Sequence, residues 1–132
     1  MQLTLEVQTF ITNAGAKALA TNGTAGLNVV PVSVIAVDAD QVILYNFFMD
    51  KTATNIATPD TPVSLAIWEG LQGIQLRATA TMHTTGELFT TQQAAMQEQF
   101  PDRTLASIII LQPTELFDVS VGEPKVLLKD VN

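Results

Sequence analysis

The chain has 132 residues, which is enough for one domain spanning residues 1–132 and too few for two independent hydrophobic cores. Thirteen acidic residues outnumber six scattered basic ones and give a formal net charge of -7, which disfavours binding to nucleic acid or to an anionic membrane. The absence of cysteine excludes disulfides, thiolate nucleophiles and zinc–thiolate sites.

The low content of charged residues indicates an oligomer. Charged residues make up only 14% of the chain, whereas hydrophobic residues make up 47%. A monomer of this size would have difficulty covering its apolar surface with so few charges. The chain shows no signal-peptide pattern and no apolar run near the ~20 residues of a membrane span, so we expect a cytoplasmic protein.

The first elements are predicted to be a helix followed by a hairpin. A short amphipathic helix is predicted to follow Thr4 as its N-cap and to end at Ala14-Gly15, because apolar residues fall at helical spacing at Leu3, Val7, Phe10, Ile11 and Ala14. A short apolar strand follows at residues 17–21, and residues 22–26 form a turn of the kind that closes hairpins.

Two longer strands are predicted next. The β-branched run at residues 28–37 predicts one long strand, in which Pro31 indicates an edge or a bulge because proline donates no hydrogen bond to a neighbouring strand. Residues 38–40 turn the chain, and residues 41–47 return as another strand.

The middle of the chain is predicted to hold a short helix and a strand pair. With Asp50 as N-cap, the helix runs to Ala57 and stops before Pro59. Strands follow at residues 62–68 and 74–83, the second with strict alternation of apolar and polar residues, and the loop 69–73 separates them.

The C-terminal third is predicted to contain one helix and two strands. Thr90 and Gln93 form a capping box at the start of a helix that ends at Pro101. Strands at residues 105–111 and 116–121 are separated by a break at Pro113. This order of elements lacks regular strand–helix–strand units, so it favours a small β-barrel with appended helices.

Residues 46–56 form the segment most indicative of function. Here a strand runs into a helix whose first turn carries Lys51 and Thr52, and a helix N-terminus favours anions. The preceding Phe47, Phe48 and Met49 provide large apolar surface. The pattern fits a ligand with a flat ring at one end and a phosphate at the other, although it is also compatible with core residues that precede an exposed helical turn.

Three sequence blocks carry a family resemblance: Gly26-x-Asn28-Val29-Val30-Pro31-Val32, Phe48-Met49-x-Lys51-Thr52-x-x-Asn55-Ile56 and Ile74-x-Leu76-Arg77-Ala78-Thr79-Ala80. In this order they resemble the FMN-binding split-barrel family, which includes pyridoxamine 5'-phosphate oxidase and small bacterial FMN-binding proteins. The resemblance runs from about Lys17 to Leu116 and implies a mainly β fold, a six- to seven-stranded antiparallel Greek-key split barrel.

The resemblance also implies a set of FMN-binding residues. The flavin phosphate is expected to lie against Lys51 and Thr52, with support from Arg77, which could equally be a surface residue on a polar stripe. The flavin ring is expected to lie along the backbone of two strand segments. The full set of expected cofactor-binding residues is Val30, Pro31, Val32, Ser33, Phe47, Phe48, Met49, Lys51, Thr52, Asn55 and Arg77.

Some family features are not found in the sequence. The arginine-and-histidine substrate signature near the C-terminus is missing, which disfavours oxidation of pyridoxamine phosphate. The single histidine, His83, lies on the polar side of a predicted strand, which disfavours a haem-ligating role. The sequence identifies no catalytic residue, and the spacing of its acidic residues predicts no metal site.

The sequence therefore favours a flavoprotein that transfers electrons or hydride through FMN at a homodimer interface. One alternative is a non-catalytic module, such as a stress or regulatory protein, that binds a flavin, a deazaflavin or another phosphate-bearing ligand. A second is a barrel that binds nothing and serves in assembly. The expected interface elements are the strand that ends at Trp68, the loop 69–73 and the apolar segment 126–128.

Overall fold

The computed structural model describes residues 1–122, and these form a mainly β fold with three helices and seven strands. In chain order the elements are α1 (Leu5–Asn13), β1 (Ala16–Thr21), β2 (Asn28–Pro31), β3 (Ile35–Val37), β4 (Val42–Asn46), α2 (Asp50–Asn55), β5 (Thr61–Glu69), β6 (Gln72–His83), α3 (Glu87–Gln99) and β7 (Ser107–Asp118). None of these helices is long and apolar enough to cross a membrane.

All seven strands belong to one antiparallel sheet with the order β2-β1-β5-β6-β7-β4-β3. Strands β2 and β3 are consecutive in the chain but lie at opposite edges of the sheet. Only residues 32–34 join them, and such a link spans about 14 Å between Pro31 and Ile35 even when fully extended. A flat sheet of seven strands would be about 29 Å wide, so the sheet must curl until its two edges approach each other.

The concave side of the curled sheet encloses the main hydrophobic core. Strand residues with fully buried side chains face one another across the ladders, as Leu19, Leu65 and Leu76 do on neighbouring strands. Helix α1 adds Val7 and Ile11 to this core. The alternation of inward apolar residues with outward small or polar ones produces this arrangement, because successive residues of a strand point to opposite faces.

A second, smaller core lies on the convex side of β4 and β7, where α3 covers the sheet. Its buried members are Tyr45, Phe89, Met96, Leu105 and Ile108. The helix and the loop that follows it therefore pack against the end of the sheet at which β4 leads into α2.

The predicted single strand at residues 28–37 is wrong, because the chain leaves one edge of the sheet after Pro31 and joins the opposite edge at Ile35. The amide of Val32 still donates to the carbonyl of Lys17 at 3.0 Å, so pairing with β1 continues for one residue beyond the strand. The β-branched composition of the whole run fits both short strands equally well, and it therefore concealed the break between them.

The predicted break at Pro113 is also wrong, because β7 runs continuously through it. Pro113 pairs with Ala78 and Glu115 pairs with Arg77, so a β-bulge leaves one extra residue on β7 at this point. The ladder with β4 already ends at Leu111. Pro113 therefore lies where β7 forms hydrogen bonds with only one neighbouring strand, β6, as expected for proline in a sheet.

Thr4 is confirmed as the N-cap of α1, with its hydroxyl accepting from the amide of Val7. Two other predicted helix starts are wrong. Met49, not Asp50, is the N-cap of α2, and its amide donates to Asn46 Oδ1 at 2.7 Å. No capping box begins α3, which starts at Glu87 after Gly86.

Gly86 and Thr90 explain why the start of α3 was predicted too late in the sequence. Gly86 has a φ of +100°, which favours glycine and allows the chain to turn into the helix earlier than predicted. Thr90 lies one turn inside the helix, where its hydroxyl donates back to the carbonyl of Gly86. The loop 69–73 is also shorter than predicted, because Glu69 and Gln72 are paired and leave only a two-residue turn.

Candidate functional site

A cleft of about 300 Å³ opens where the two edges of the curled sheet meet. Its lining residues are Val30, Pro31, Ser33, Tyr45, Phe47, Phe48, Met49 and Arg103. The volume is at the lower end of the range for small-molecule sites, roughly 300–1,000 Å³. The structure thus brings together six residues from the two segments that the sequence predicted to flank a flat ring.

One wall of the cleft is the segment that links the two sheet edges. Strand β2 pairs only with β1, so the backbone groups on its outer edge have no strand partner. Pro31 and Ser33 are exposed at the cleft, whereas Val32 between them is 7% exposed and belongs to the core. Val32 could therefore meet a ligand only through its backbone, and its side chain anchors this wall.

The opposite wall is formed by the residues that connect β4 to α2. Phe48 is 79% exposed, while Phe47 and Met49 on either side of it are half-buried. An exposed phenylalanine is an apolar surface with no partner inside its own subunit. This wall is therefore suited to contact with a flat apolar ring.

The four predicted residues of the phosphate region have different surroundings. Lys51 is exposed and is the second residue of α2, after Asp50. Thr52 is completely buried, and its hydroxyl accepts a hydrogen bond from Asn28 Nδ2 at 3.1 Å. The side chain of Thr52 thus holds α2 against β2, and only Lys51 of this pair presents its side chain to solvent.

Asn55 is buried and fastens α2 to the turn that joins β1 to β2. Its amide nitrogen donates to Thr21 Oγ1 at 3.1 Å and to the carbonyl of Gly26 at 2.8 Å, and its amide oxygen accepts from the amide of Ala25 at 2.8 Å. A Cβ at Gly23 would lie 2.9 Å from that oxygen, so only glycine fits there without displacement. All of these contacts are internal, and they position the helix that carries Lys51.

Arg77 does not line the cleft of its own subunit. It lies on the convex face of the sheet, where its side chain is about half exposed and its guanidinium is 3.5 Å from the carboxylate of Glu115. The same guanidinium lies 4.9 Å from the centre of the Phe117 ring. It lines a separate groove with Leu27 and Pro62, and none of the residues that line this groove also lines the cleft.

Arg103 lines the cleft although sequence reasoning did not identify it. It lies between α3 and β7, with its guanidinium 4.6 Å from the centre of the Phe100 ring and 5.5 Å from that of Phe47. Phe100 is nearby in sequence, but Phe47 is distant in sequence and lies just after β4. Only the tertiary fold brings the arginine to the cleft, so no local signal could have revealed it.

Tyr45 is the other titratable residue of the cleft. Its hydroxyl donates to Gln92 Oε1 at 3.0 Å, and burial raises the pKa of the phenol above its usual value of 10. The group therefore keeps its proton at neutral pH, and that proton is already used in a hydrogen bond. Tyr45 connects the cleft to α3 and is not suited to proton exchange with a ligand.

The chemistry of the cleft fits FMN. Its apolar walls suit an isoalloxazine ring, its unpaired strand edge offers backbone donors and acceptors, and Arg103 provides positive charge, with Lys51 exposed beyond the cleft on α2. His83 does not line the cleft, and within residues 1–122 no three metal-ligating side chains form a cluster.

Comparison with known proteins connects the fold to one family. The family model described as pyridoxamine 5'-phosphate oxidase matches residues 3–125. No curated protein shows significant sequence similarity to the chain.

Three solved structures illustrate the fold. HupZ of Group A Streptococcus has a TM-score of 0.76 at 20% identity, over 91% of this chain and 96% of that one. An FMN-binding protein from Syntrophomonas wolfei subsp. wolfei has a TM-score of 0.71 at 18% identity, over 89% and 86%. HutZ, the heme storage protein from Vibrio cholerae, has a TM-score of 0.62 at 22% identity, over 89% and 94%. At these identities the likeness establishes the antiparallel split barrel and leaves the ligand open.

We predict that Asn55→Ala lowers the free energy of unfolding by about 3 kcal/mol, because it removes three hydrogen bonds, one of them to the buried hydroxyl of Thr21. Thr54→Ala is the matched control on the same helix, because Thr54 is exposed and bonds only to a carbonyl of its own helix. Its cost should remain within about 0.5 kcal/mol. Chemical denaturation of both variants measures the difference, and equal costs would contradict the anchoring role of Asn55.

Proposed function

The chain belongs to the pyridoxamine 5'-phosphate oxidase family, and on that premise we propose that it is a cytoplasmic flavoprotein that holds one FMN per subunit of a homodimer. The observation that carries the proposal is the cleft itself. It combines two apolar walls, a strand edge without a partner and a half-buried arginine within one small-molecule-sized space.

The flavin ring is proposed to lie between the two walls of the cleft. Backbone groups of residues 30–33 would form hydrogen bonds with the polar edge of the ring, and Phe47, Phe48 and Met49 would cover its apolar part. The bound FMN supplies the electron or hydride chemistry, while the protein binds and orients it. Tyr45 keeps its proton because burial raises its pKa, and that proton is already donated to Gln92, which favours simple electron or hydride transfer.

The phosphate is proposed to bind Lys51. This side chain is exposed and follows directly on the wall formed by Phe48 and Met49, so a ligand in the cleft can extend towards it. The buried contacts of Thr52 and Asn55 fix the helix from which Lys51 projects. Their contribution to FMN binding is proposed to be positional.

The convex face of β2, β1, β5 and β6 is proposed as the homodimer interface. Cross-strand partners share a face of the sheet, and a row of small residues, Ala18, Ala20, Ser64 and Ala66, lies opposite the inward leucines. Val29 and Trp68 extend this surface and are 68% and 43% exposed. The small side chains in the middle of this face would allow the backbones of two copies to approach closely.

This interface includes the predicted strand that ends at Trp68 and adjoins the turn after it, where Leu71 is exposed. The predicted apolar segment 126–128 lies outside the described residues.

The same interface would bring Arg77 to the site of the other subunit. Along the ladders, Pro31 of the cleft is opposite Ala18, and Arg77 is opposite Ser64 in the next row of the same convex face. Arg77 is separated from its own cleft but lies on the surface that a second copy would cover. We therefore propose that each FMN phosphate takes Lys51 from one subunit and Arg77 from its partner.

The second candidate function is a non-catalytic module that binds a flavin, a deazaflavin or another phosphate-bearing ligand. The same cleft would serve this function, because binding alone requires only its walls, its free strand edge and its arginine. Two measurements separate the candidates: mass spectrometry of the molecule released on denaturation, and anaerobic reduction of the holoprotein by NADH or NADPH. A protein that releases a flavin but is reduced by neither nucleotide would favour the binding module.

We predict that Lys51→Ala weakens FMN binding by roughly 1.5–3 kcal/mol and leaves riboflavin binding nearly unchanged, because only FMN carries the phosphate. Fluorescence titration of the apoprotein with each flavin measures both affinities. Thr54→Ala serves as the control on the same helix. An equal loss of affinity for the two flavins would show that Lys51 does not contact the phosphate.

We predict that mixed dimers of Lys51→Ala and Arg77→Gln subunits regain half of the FMN sites at wild-type affinity. If the two residues come from different subunits, one site of each mixed dimer lacks both residues and the other has both. Titration of mixed dimers, isolated by two different affinity tags, gives the stoichiometry. If both residues act within one subunit, every site carries one defect and no wild-type site appears.

We predict that Ala66→Glu converts the dimer into monomers and weakens FMN binding, because it places a charge in the centre of the proposed interface. Ala95→Glu on the exposed side of α3 is the matched control and should remain dimeric. Light scattering and FMN titration are measured on both variants. A monomeric Ala66→Glu variant that keeps its full affinity for FMN would contradict a shared site.

A further inference from the structure

Arg103 is held beside the cleft by contacts of its guanidinium and of its backbone. Its guanidinium lies over Phe100 at 4.6 Å and over Phe47 at 5.5 Å, and these two rings contact each other edge to face at 5.8 Å. The amide of Arg103 also donates to the carbonyl of Phe100 at 3.1 Å. Both the backbone and the guanidinium of this residue are therefore held in place beside the cleft.

The positive charge of Arg103 has no counterion within the described part of the chain. The only ion pair among residues 1–122 joins Arg77 and Glu115, and the neighbouring Asp102 forms none with Arg103. The aromatic rings stabilise the guanidinium by cation–π contact but leave its N–H groups free to donate. A half-buried, rigidly held cation with free donors is suited to an anionic or carbonyl-bearing part of a ligand.

We propose that Arg103 binds the pyrimidine edge of the FMN ring, at N1 and the C2 carbonyl, and favours the reduced form of the cofactor. This inference rests on the proposed FMN site. Arg103 shares the cleft with the walls assigned to the ring, whereas Lys51 and Arg77 do not line that cleft. The ring edge, rather than the phosphate, is therefore the part of FMN nearest to this cation.

The charge balance explains the preference for reduced FMN. When dithionite supplies two electrons and N5 takes up one proton, the ring keeps one negative charge, shared by N1 and the C2 carbonyl. Oxidised FMN has no negative charge on this edge. A fixed guanidinium beside it stabilises the reduced ring more than the oxidised one, and charge near N1 is one means by which a protein tunes a flavin.

The test compares Arg103→Gln, Arg103→Lys and the neighbouring control Thr104→Ala with the wild-type holoprotein. We measure the affinity for oxidised FMN and the midpoint potential during dithionite titration with a reference dye. Arg103→Gln should lose at least tenfold more affinity for reduced than for oxidised FMN, which corresponds to a potential about 30 mV lower. Arg103→Lys should recover most of the potential, and Thr104→Ala should match wild type.

Two results would overturn the inference while leaving the FMN site intact. One is an unchanged potential in Arg103→Gln, which means an equal change of affinity for both redox forms. The other is a loss of affinity confined to FMN, with riboflavin unaffected in a parallel titration, which would assign Arg103 to the phosphate. A wild-type protein that binds no flavin would overturn the proposed function and this inference together. A potential that is lower in Arg103→Gln and is restored in Arg103→Lys would support the electrostatic role, because a purely structural role does not depend on the charge of the side chain.

Discussion

The link formed by residues 32–34 is the constraint on which the rest of the structure depends. It is too short to cross a flat sheet of seven strands, so it forces the edges formed by β2 and β3 to approach each other. The resulting curl creates the enclosed core. It also creates the cleft, because Val32 is drawn into the core while Pro31 and Ser33 remain at the surface. One short stretch of chain thus determines both where the protein is packed and where it is open.

The charges of the cleft are local exceptions in an acidic protein. The chain carries a formal net charge of -7, which opposes the approach of a phosphate over long distances. At physiological ionic strength this field decays over about 8 Å, so the few cations near a site determine what binds there. Arg103 is held against two aromatic rings, whereas Lys51 is exposed on the first turn of α2. In the proposed FMN site the two residues would have different tasks, Arg103 a fixed contact with the ring and Lys51 a contact with the phosphate.

Local patterns in the sequence predicted the mainly β fold and most of its strands. The alternation along β6 identified its inward and outward faces, and the polar cap of α1 was also predictable. The predictions were wrong or incomplete where contacts between residues distant in sequence determine the structure. Nothing in the run around Pro31 indicates that its two halves join opposite edges, and the roles of Asn55 and Arg103 depend on partners distant in sequence. The motif that contains Lys51 drew attention to the segment beside the cleft, but it could not distinguish exposed from buried positions within that segment.

The central place of β7 in the sheet has a consequence for how the protein folds. Although it is the last strand of the described chain, it lies between β6 and β4 and pairs with both. During synthesis on the ribosome, β4 and β6 are therefore made before β7, and each has one edge without a partner strand until β7 is complete. Such edges favour association with other chains. Folding must then be nearly all-or-none with respect to this strand, and chains that lose it should be directed to aggregation or proteolysis.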